Sequence, residues 1–405
     1  MMTELEGRCL DFIKKHLAII TYSVLFLIIL GLYIQMGLHF DLTCPPSTDF
    51  NNCIQPWWNT IVADGGFKSL AHPVGDYASS YQMLMAWMAT WGLNCQGAVK
   101  LVGAITNFAL AFAVAAFTYK INSKKNLSSF AIPFLMTLIL PSAFIESMVW
   151  GQCDPLYAFF MFISFYFIYI DKWGWGFFFY GLSLSFKLEP IFFLPFIIML
   201  YILEHKHSIF NLCWTLLGFY LPNVGGLLHG RSFMSPFQDL MGQTQEYKSI
   251  SLHAINFPQL FTVDAYGSNA AIEYGMMGTL LIVMTICIFA FVLLYLSKIN
   301  FDVKKNFVQL LTWCIWTCDF FLPAMHERYD FMVGVLLLVL ACLNIRYLPL
   351  FLGVATLDTI IYINSFFNFI SNFQPYAWVM LVLYGIMTYI VLKCPEKFKV
   401  AEMGH

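Results

Sequence analysis

Apolar runs long enough to cross a bilayer recur along the whole of this chain, and they constrain its fold more than any other feature. A spanning helix needs about 20 apolar residues. Twelve runs fit, at 17–38, 98–119, 128–146, 155–171, 174–189, 190–204, 208–228, 276–297, 306–323, 331–345, 347–364 and 375–392. The fifth and sixth share one stretch broken only by Lys187, Glu189 and Pro190, while Pro222 and Gly225-Gly226 close the seventh. With 60% hydrophobic and 11% charged residues and a mean hydropathy of +0.72, the chain lacks the charge to cover a water-soluble surface. The expectation is an all-α, polytopic integral membrane protein of about twelve helices, forming one membrane-embedded domain over 1–405.

Lysine and arginine concentrate in cytoplasmic loops, and an inside N-terminus puts 15 of the 21 basic residues on that side. Both termini are then cytoplasmic. The first run is too long for a signal peptide and lacks a cleavage site, so it reads as a retained helix. The cytoplasmic loops are short, whereas the outer segments 39–97 and 229–275 are long. The outer face holds 14 of the 23 acids, and long loops usually carry function. Tyr81 to Trp91 is apolar but short, and reads as an interfacial helix in the membrane plane. A net charge of −2 says nothing about partners, and with no basic patch of interleaved aromatics no nucleic-acid partner is expected. The 11 cysteines show no metal-ligand spacing. Cys44 and Cys53 flank a short outer stretch, placed for a disulfide if the compartment is oxidising. No internal repeat or low-complexity segment is evident.

Four polar clusters interrupt the apolar sequence, each at the outer end of a helix or in the first outer loop. Ser47-Thr48-Asp49-Phe50, with Gln55-Pro56-Trp57-Trp58, Asp64-Gly65-Gly66 and Gly75-Asp76-Tyr77 further on, offers loop carboxylates able to act as a general base toward a hydroxyl; the same residues also suit solvated turns. In Trp150-Gly151-Gln152-Cys153-Asp154-Pro155, Trp150 reads most simply as an interfacial aromatic and Asp154 as a helix N-cap. In Ser185-Phe186-Lys187-Leu188-Glu189-Pro190, an ionisable residue inside a membrane segment points to function, although Lys187 could also snorkel to the interface. Met325-His326-Glu327-Arg328-Tyr329 sets four polar side chains in a row between apolar helices, with a guanidinium suited to bidentate phosphate contact. Asp358 and His229 stand alone and read as locally hydrogen-bonded.

Taken in order, WGQCD at 150–154, SFKLEP at 185–190 and MHERY at 325–329, behind an acidic, Trp-containing first outer loop, resemble the GT-C superfamily of polytopic glycosyltransferases. Within it the resemblance is to bacterial proteins related to the GPI-anchor mannosyltransferases. It implies an inverting hexosyltransferase at the outer face of the plasma membrane, or at the lumenal face of the endoplasmic reticulum in a eukaryote. The donor it implies is a sugar on a polyprenyl phosphate and the acceptor an extracytoplasmic glycan or glycolipid; no cofactor is required, and a divalent ion recruited by the loop carboxylates stays open. The family's carboxylate in the first outer loop maps to Asp49, with Asp76 second. Gln152, Asp154, Lys187, Glu189, His326, Glu327, Arg328 and Tyr329 would line the donor and acceptor pocket. Glu189 departs from the Gln expected there, which leaves its role open.

The chemistry needs a base for the acceptor hydroxyl and positive charge for the departing phosphate. Asp49 suits the first and Arg328, with Lys187 and His326, the second. The main alternative is a transporter or flippase for a lipid-linked saccharide. Transporter sites lie near the midplane between repeats, whereas these clusters gather at one surface.

Overall fold

The computed structural model describes residues 3–43, 49–246, 249–261 and 270–399. Cys44 lies outside them, as does part of the first polar cluster, so the Cys44–Cys53 pairing is outside the described residues too.

The chain is helical nearly throughout. Helix α1 (Glu4–His39) opens on a capping box in which the Thr3 hydroxyl and the Glu6 carboxylate accept from each other's backbone N–H groups. The first outer segment folds into α2 (Gln55–Ala63) and α3 (Ser79–Met88), and Asn94 then caps α4 (Cys95–Ile121) by accepting from the Gly97 N–H at 2.8 Å. Asn126 begins α5 (Leu127–Ile139) in the same way, and α6 (Pro141–Ile145) follows after a bend of 55°. Pro141 sets that break, because it has no N–H to continue the α5 ladder and suits a first helical turn. There follow α7 (Asp154–Tyr169), α8 (Trp173–Phe186), α9 (Leu194–Glu204), α10 (Leu212–Tyr220), α11 (Val224–Leu228) and α12 (Ser235–Glu246). Strand β1 (Ser251–Leu252) precedes α13 (Ala270–Lys298) and α14 (Phe307–Phe321), and β2 (Met325–His326) precedes α15 (Phe331–Leu343), α16 (Leu348–Phe367) and α17 (Gln374–Lys393).

All twelve apolar runs contain helix, but of different lengths. Glu6–His39, Cys95–Ile121, Gly275–Lys298, Ile345–Phe367 and Gln374–Lys393 are long and apolar enough to cross a membrane, and the bent pair of Leu127–Ile139 and Pro141–Trp150 makes a sixth if it acts as one span. Asp154–Tyr169, Ile209–Tyr220, Phe307–Phe321 and Phe331–Leu343 are apolar but shorter. The fifth and sixth runs divide at Lys187-Leu188, and the run at 208–228 breaks into α10 and α11.

Helix α15 is apolar on all sides because neighbours cover all sides; ten of its first eleven residues belong to the central core, together with Trp313 and Trp316 of α14. Helix α1 also holds a long apolar stretch, yet only 11% of that stretch is buried. A helix that exposes Leu27, Ile28 and Leu38 along its length suits a lipid surface and not water. Helices α8 and α10 pack backbone to backbone, since a Cβ on Gly181 would strike the Thr215 carbonyl and one on Gly218 the Phe178 carbonyl.

Helix α3 is where an interfacial helix was expected, but it does not simply lie on a surface. Tyr81, Met85, Ala86 and Met88 are buried with Phe50, Ile54, Trp58 and Val99 in a second core that roofs one end of the bundle, while Trp87 stays exposed.

Candidate functional site

The roof and the bundle meet at a line of alternating charges. Two π-helical turns frame it, a rare form often found at functional sites. Phe50–Ile54 directly follows Asp49, and Glu146–Trp150 ends at Gly151, whose φ of 74° turns the chain back toward α7. A Cβ at Gly151 would stand 3.1 Å from Val99 and 3.2 Å from Leu42, so both conformation and space favour glycine. The third element is the β1–β2 pair, parallel, with Ser251 opposite Met325 and Leu252 opposite His326. The Ala324 and Glu327 N–H groups donate to Ile250 at 2.9 Å and Leu252 at 3.1 Å, anchoring the turn that carries Arg328.

The Gln152 amide donates to Asp49 Oδ2 at 2.6 Å and accepts from the Tyr77 hydroxyl at 3.0 Å. Arg328 Nη1 donates to the same Asp49 oxygen at 3.1 Å, and its Nε lies 3.8 Å from Asp154 Oδ2. Asp154 Oδ1 accepts from Lys187 Nζ at 2.5 Å, and Lys187 also contacts Glu189 Oε1 at 2.6 Å. On the other flank Glu327 lies 3.8 Å from Arg328 and 3.6 Å from His326. The cations rest on aromatic faces: Arg328 is 5.4 Å from the Trp150 ring, and Lys187 is 5.6 Å and 5.3 Å from Tyr157 and Tyr329.

Exposure separates these groups. The Asp154, Lys187 and Arg328 side chains are 1%, 5% and 10% exposed, while Asp49 is 33% exposed. Asp49 is therefore the carboxylate an incoming molecule can reach. Burial alone would raise the Glu327 carboxyl, but the adjoining His326 and the Arg328 guanidinium outweigh it and hold Glu327 at about 2. Asp49, Asp154, Glu189 and Glu327 surround Lys187 and Arg328, leaving the cations outnumbered. Among the described residues no group of three or more His, Cys, Asp and Glu is arranged to hold a metal ion.

Of the residues picked out in the sequence, Asp49, Gln152, Asp154, Lys187, Glu189, His326, Glu327, Arg328 and Tyr329 all join this one cluster. Asp76 is half-buried beside Tyr77, and it is Tyr77 that links this loop to Gln152. Three simpler readings are corrected. Trp150 is no interfacial aromatic: it is 5% exposed and packs edge-on to Tyr362 and Phe366. Asp154 does not cap α7 but turns to Lys187. Lys187 does not snorkel, being held between two carboxylates. His229 keeps its local bond to the Gly225 carbonyl at 2.8 Å, whereas Asp358 faces α15, with its Oδ2 3.1 Å from where a Cβ on Gly334 would stand.

Beside Glu189 and Tyr329 lies a cavity of about 440 Å³ whose other walls are mostly apolar, including Ile191, Phe192, Met241 and Ile282. Tyr77 of the Gly75-Asp76-Tyr77 motif completes the surroundings together with Tyr157 and Glu146, which were not singled out in the sequence. Glu146 is wholly buried, within electrostatic reach of Asp154, Arg328 and Lys187.

Fold and cluster together define an all-helical chain with helices of membrane-spanning length and a buried ionic site under a loop-built roof. Compared with protein-family models, curated proteins and solved structures, the chain matches none.

Proposed function

We propose that this chain is a membrane-embedded, inverting glycosyltransferase of the GT-C type, with the twelve apolar runs as its spans and the ionic cluster on the extracytoplasmic side. The donor is a hexose on a polyprenyl phosphate and the acceptor a glycan or glycolipid. The observation that carries this reading is the pairing of Asp49, the partly exposed acid, with the buried Arg328, in a cluster whose Glu189 and Tyr329 border an apolar cavity. A carboxylate open to an acceptor, a guanidinium for a phosphate and an apolar groove for a prenyl chain are what such a transfer needs.

Asp49 Oδ2 accepts from an Arg328 nitrogen. A donor phosphate reaching that fork competes with Asp49 and releases it toward the acceptor. The freed carboxylate then takes the acceptor hydroxyl proton as the oxygen attacks the anomeric carbon from the face opposite the phosphate. The bond from carbon to phosphate oxygen breaks, its electron pair leaves with the lipid phosphate, and the anomeric configuration inverts. Arg328 and Lys187 offset the charge on the leaving group. Glu189, where a Gln was expected, is ion-paired to Lys187 and sets that cation's position.

A transporter of lipid-linked saccharides is the second reading, favoured by the buried Asp319, Asp330 and Asp358, to which the transfer chemistry gives no role. Membranes containing the wild type or Asp49→Asn, supplied with radiolabelled polyprenyl-phosphate hexoses and acceptor glycans, separate the two. Labelled acceptor with the wild type alone supports the transferase; labelled lipid crossing the bilayer unchanged supports the transporter.

A further inference from the structure

A second cavity, of about 370 Å³, lies at the far end of the bundle between α5, α15 and the start of α16. Each of these helices has its other end at the ionic site: α5 leads through α6 to Trp150, α15 starts three residues after Arg328, and α16 carries Tyr362 and Phe366 to the Trp150 ring. The two sites are thus separated by the length of α15, about 20 Å at ~1.5 Å per residue. The volume falls within the ~300–1,000 Å³ of small-molecule sites.

The cavity combines two kinds of lining. Asn122, Lys124, Asn126, Ser128 and Ser129 supply its polar groups, and the rest is apolar side chains such as Met136, Leu338, Leu348 and Phe351. No acidic residue lines it, and the flanking stretches 117–130 and 336–352 contain Lys120, Lys124, Lys125 and Arg346 but no Asp or Glu. Two neighbouring cations are committed to backbone: Lys125 donates to the Lys120 carbonyl at 2.8 Å and Arg346 to the Lys397 carbonyl at 2.8 Å. Lys124 is exposed at the rim of the cavity.

We propose that this cavity is a binding site for an anionic phospholipid, with the headgroup phosphate on Lys124 and the amides and hydroxyls beside it, and one acyl chain along the apolar wall. Charge complementarity selects an anion, and the apolar body selects an acyl-bearing one over a free phosphate. Basic pockets between spanning helices bind anionic headgroups by this combination. The site rests on the membrane reading of the chain and is independent of the transferase reading.

The test uses the full chain purified in detergent, stripped of lipid and offered equal amounts of phosphatidylglycerol and phosphatidylcholine, with the first bound lipid identified by native mass spectrometry. The wild type retains phosphatidylglycerol preferentially, and Lys124→Gln, an exposed change that leaves the core intact, lowers that preference about fivefold, as expected for the loss of one lysine near a lipid surface. Met136→Trp, which fills the apolar wall, lowers retention of both lipids. Equal retention by the wild type, an unchanged preference in Lys124→Gln, or displacement of the lipid by inorganic phosphate overturns the proposal. A chain that stays in solution without detergent overturns the membrane reading itself, a different outcome from a detergent-dependent chain with no lipid preference.

Discussion

Lys187 and Asp154 lie 33 positions apart in the chain, yet their charged atoms are 2.5 Å apart in the structure, and Glu189 closes on the same ammonium at 2.6 Å. Removing Lys187 leaves two carboxylates buried without their cation, a loss of about 3–5 kcal/mol for such a pair. Lys187→Met is therefore expected to lower the thermal unfolding temperature strongly, and adding Asp154→Asn and Glu189→Gln to restore part of it. If Lys187→Met unfolds like the wild type, the ion pairs do not hold this end of α8.

Arg328 offers a planar fork that lysine cannot reproduce. Arg328→Lys is expected to keep the fold while lowering transfer about 10²- to 10³-fold, with a raised KM for the polyprenyl-phosphate donor. Full activity in the lysine variant would remove Arg328 from the leaving-group role.

The Glu327 carboxyl is held at about 2, below its ordinary 4.5. A depressed acid stabilises the fold fully above the unfolded value and loses that contribution as pH falls toward the folded one. Stability contributed by Glu327, roughly 3 kcal/mol when fully present, should be in place at about pH 5 and decline between 4.5 and 2. Urea unfolding of wild type and Glu327→Gln across this range checks it: the stability gap should be open at pH 5 and close in acid.

Gly103 on α4 touches the π-helical turn, since a Cβ there would strike the Ser147 carbonyl. Gly103→Ala must push the turn that delivers Trp150 and Gln152 to Arg328 and Asp49. Overpacking of this kind costs about 1–3 kcal/mol, and transfer assays on correctly inserted protein should show activity falling further than the lost stability explains. Unchanged activity would mean that the turn's position does not govern the site.

How much of this was legible depends on the kind of signal each residue carries. The helices could be read because apolar runs broken by Lys, Gly and Pro report solvent and chain breaks directly. Their lengths could not, because in a run such as 208–228 the Pro222-Asn223 turn that separates α10 from α11 is flanked by apolar residues on both sides and reads as the end of one span. The charged motifs stood out against apolar surroundings, and the structure draws nine of those residues together. Trp150 and Asp154 misled, because an aromatic at a helix end and an acid at a helix start each have a common local explanation; only the long-range partners Arg328 and Lys187 distinguish them. Tyr77 was visible only as a neighbour of Asp76, whose carboxylate drew the attention, and Glu146 carried no local signal, since a lone acid beside a run is ordinary. The β1–β2 pair joins two-residue segments 74 positions apart, too short for any alternation to register.

The π-helical turn Glu146–Trp150 also sets how this chain can vary in length. It holds one residue more than a standard turn accommodates, so deleting Ser147, Met148 or Val149 lets the backbone close into ordinary helix and shortens by one residue the path that carries Trp150 and Gln152 to the site. Trp150 would leave Arg328 and Gln152 would leave Asp49 in the same step, although no side chain of the site had been replaced. Around this turn the count of residues is as binding as their identity, and related chains that share the site should place their gaps elsewhere.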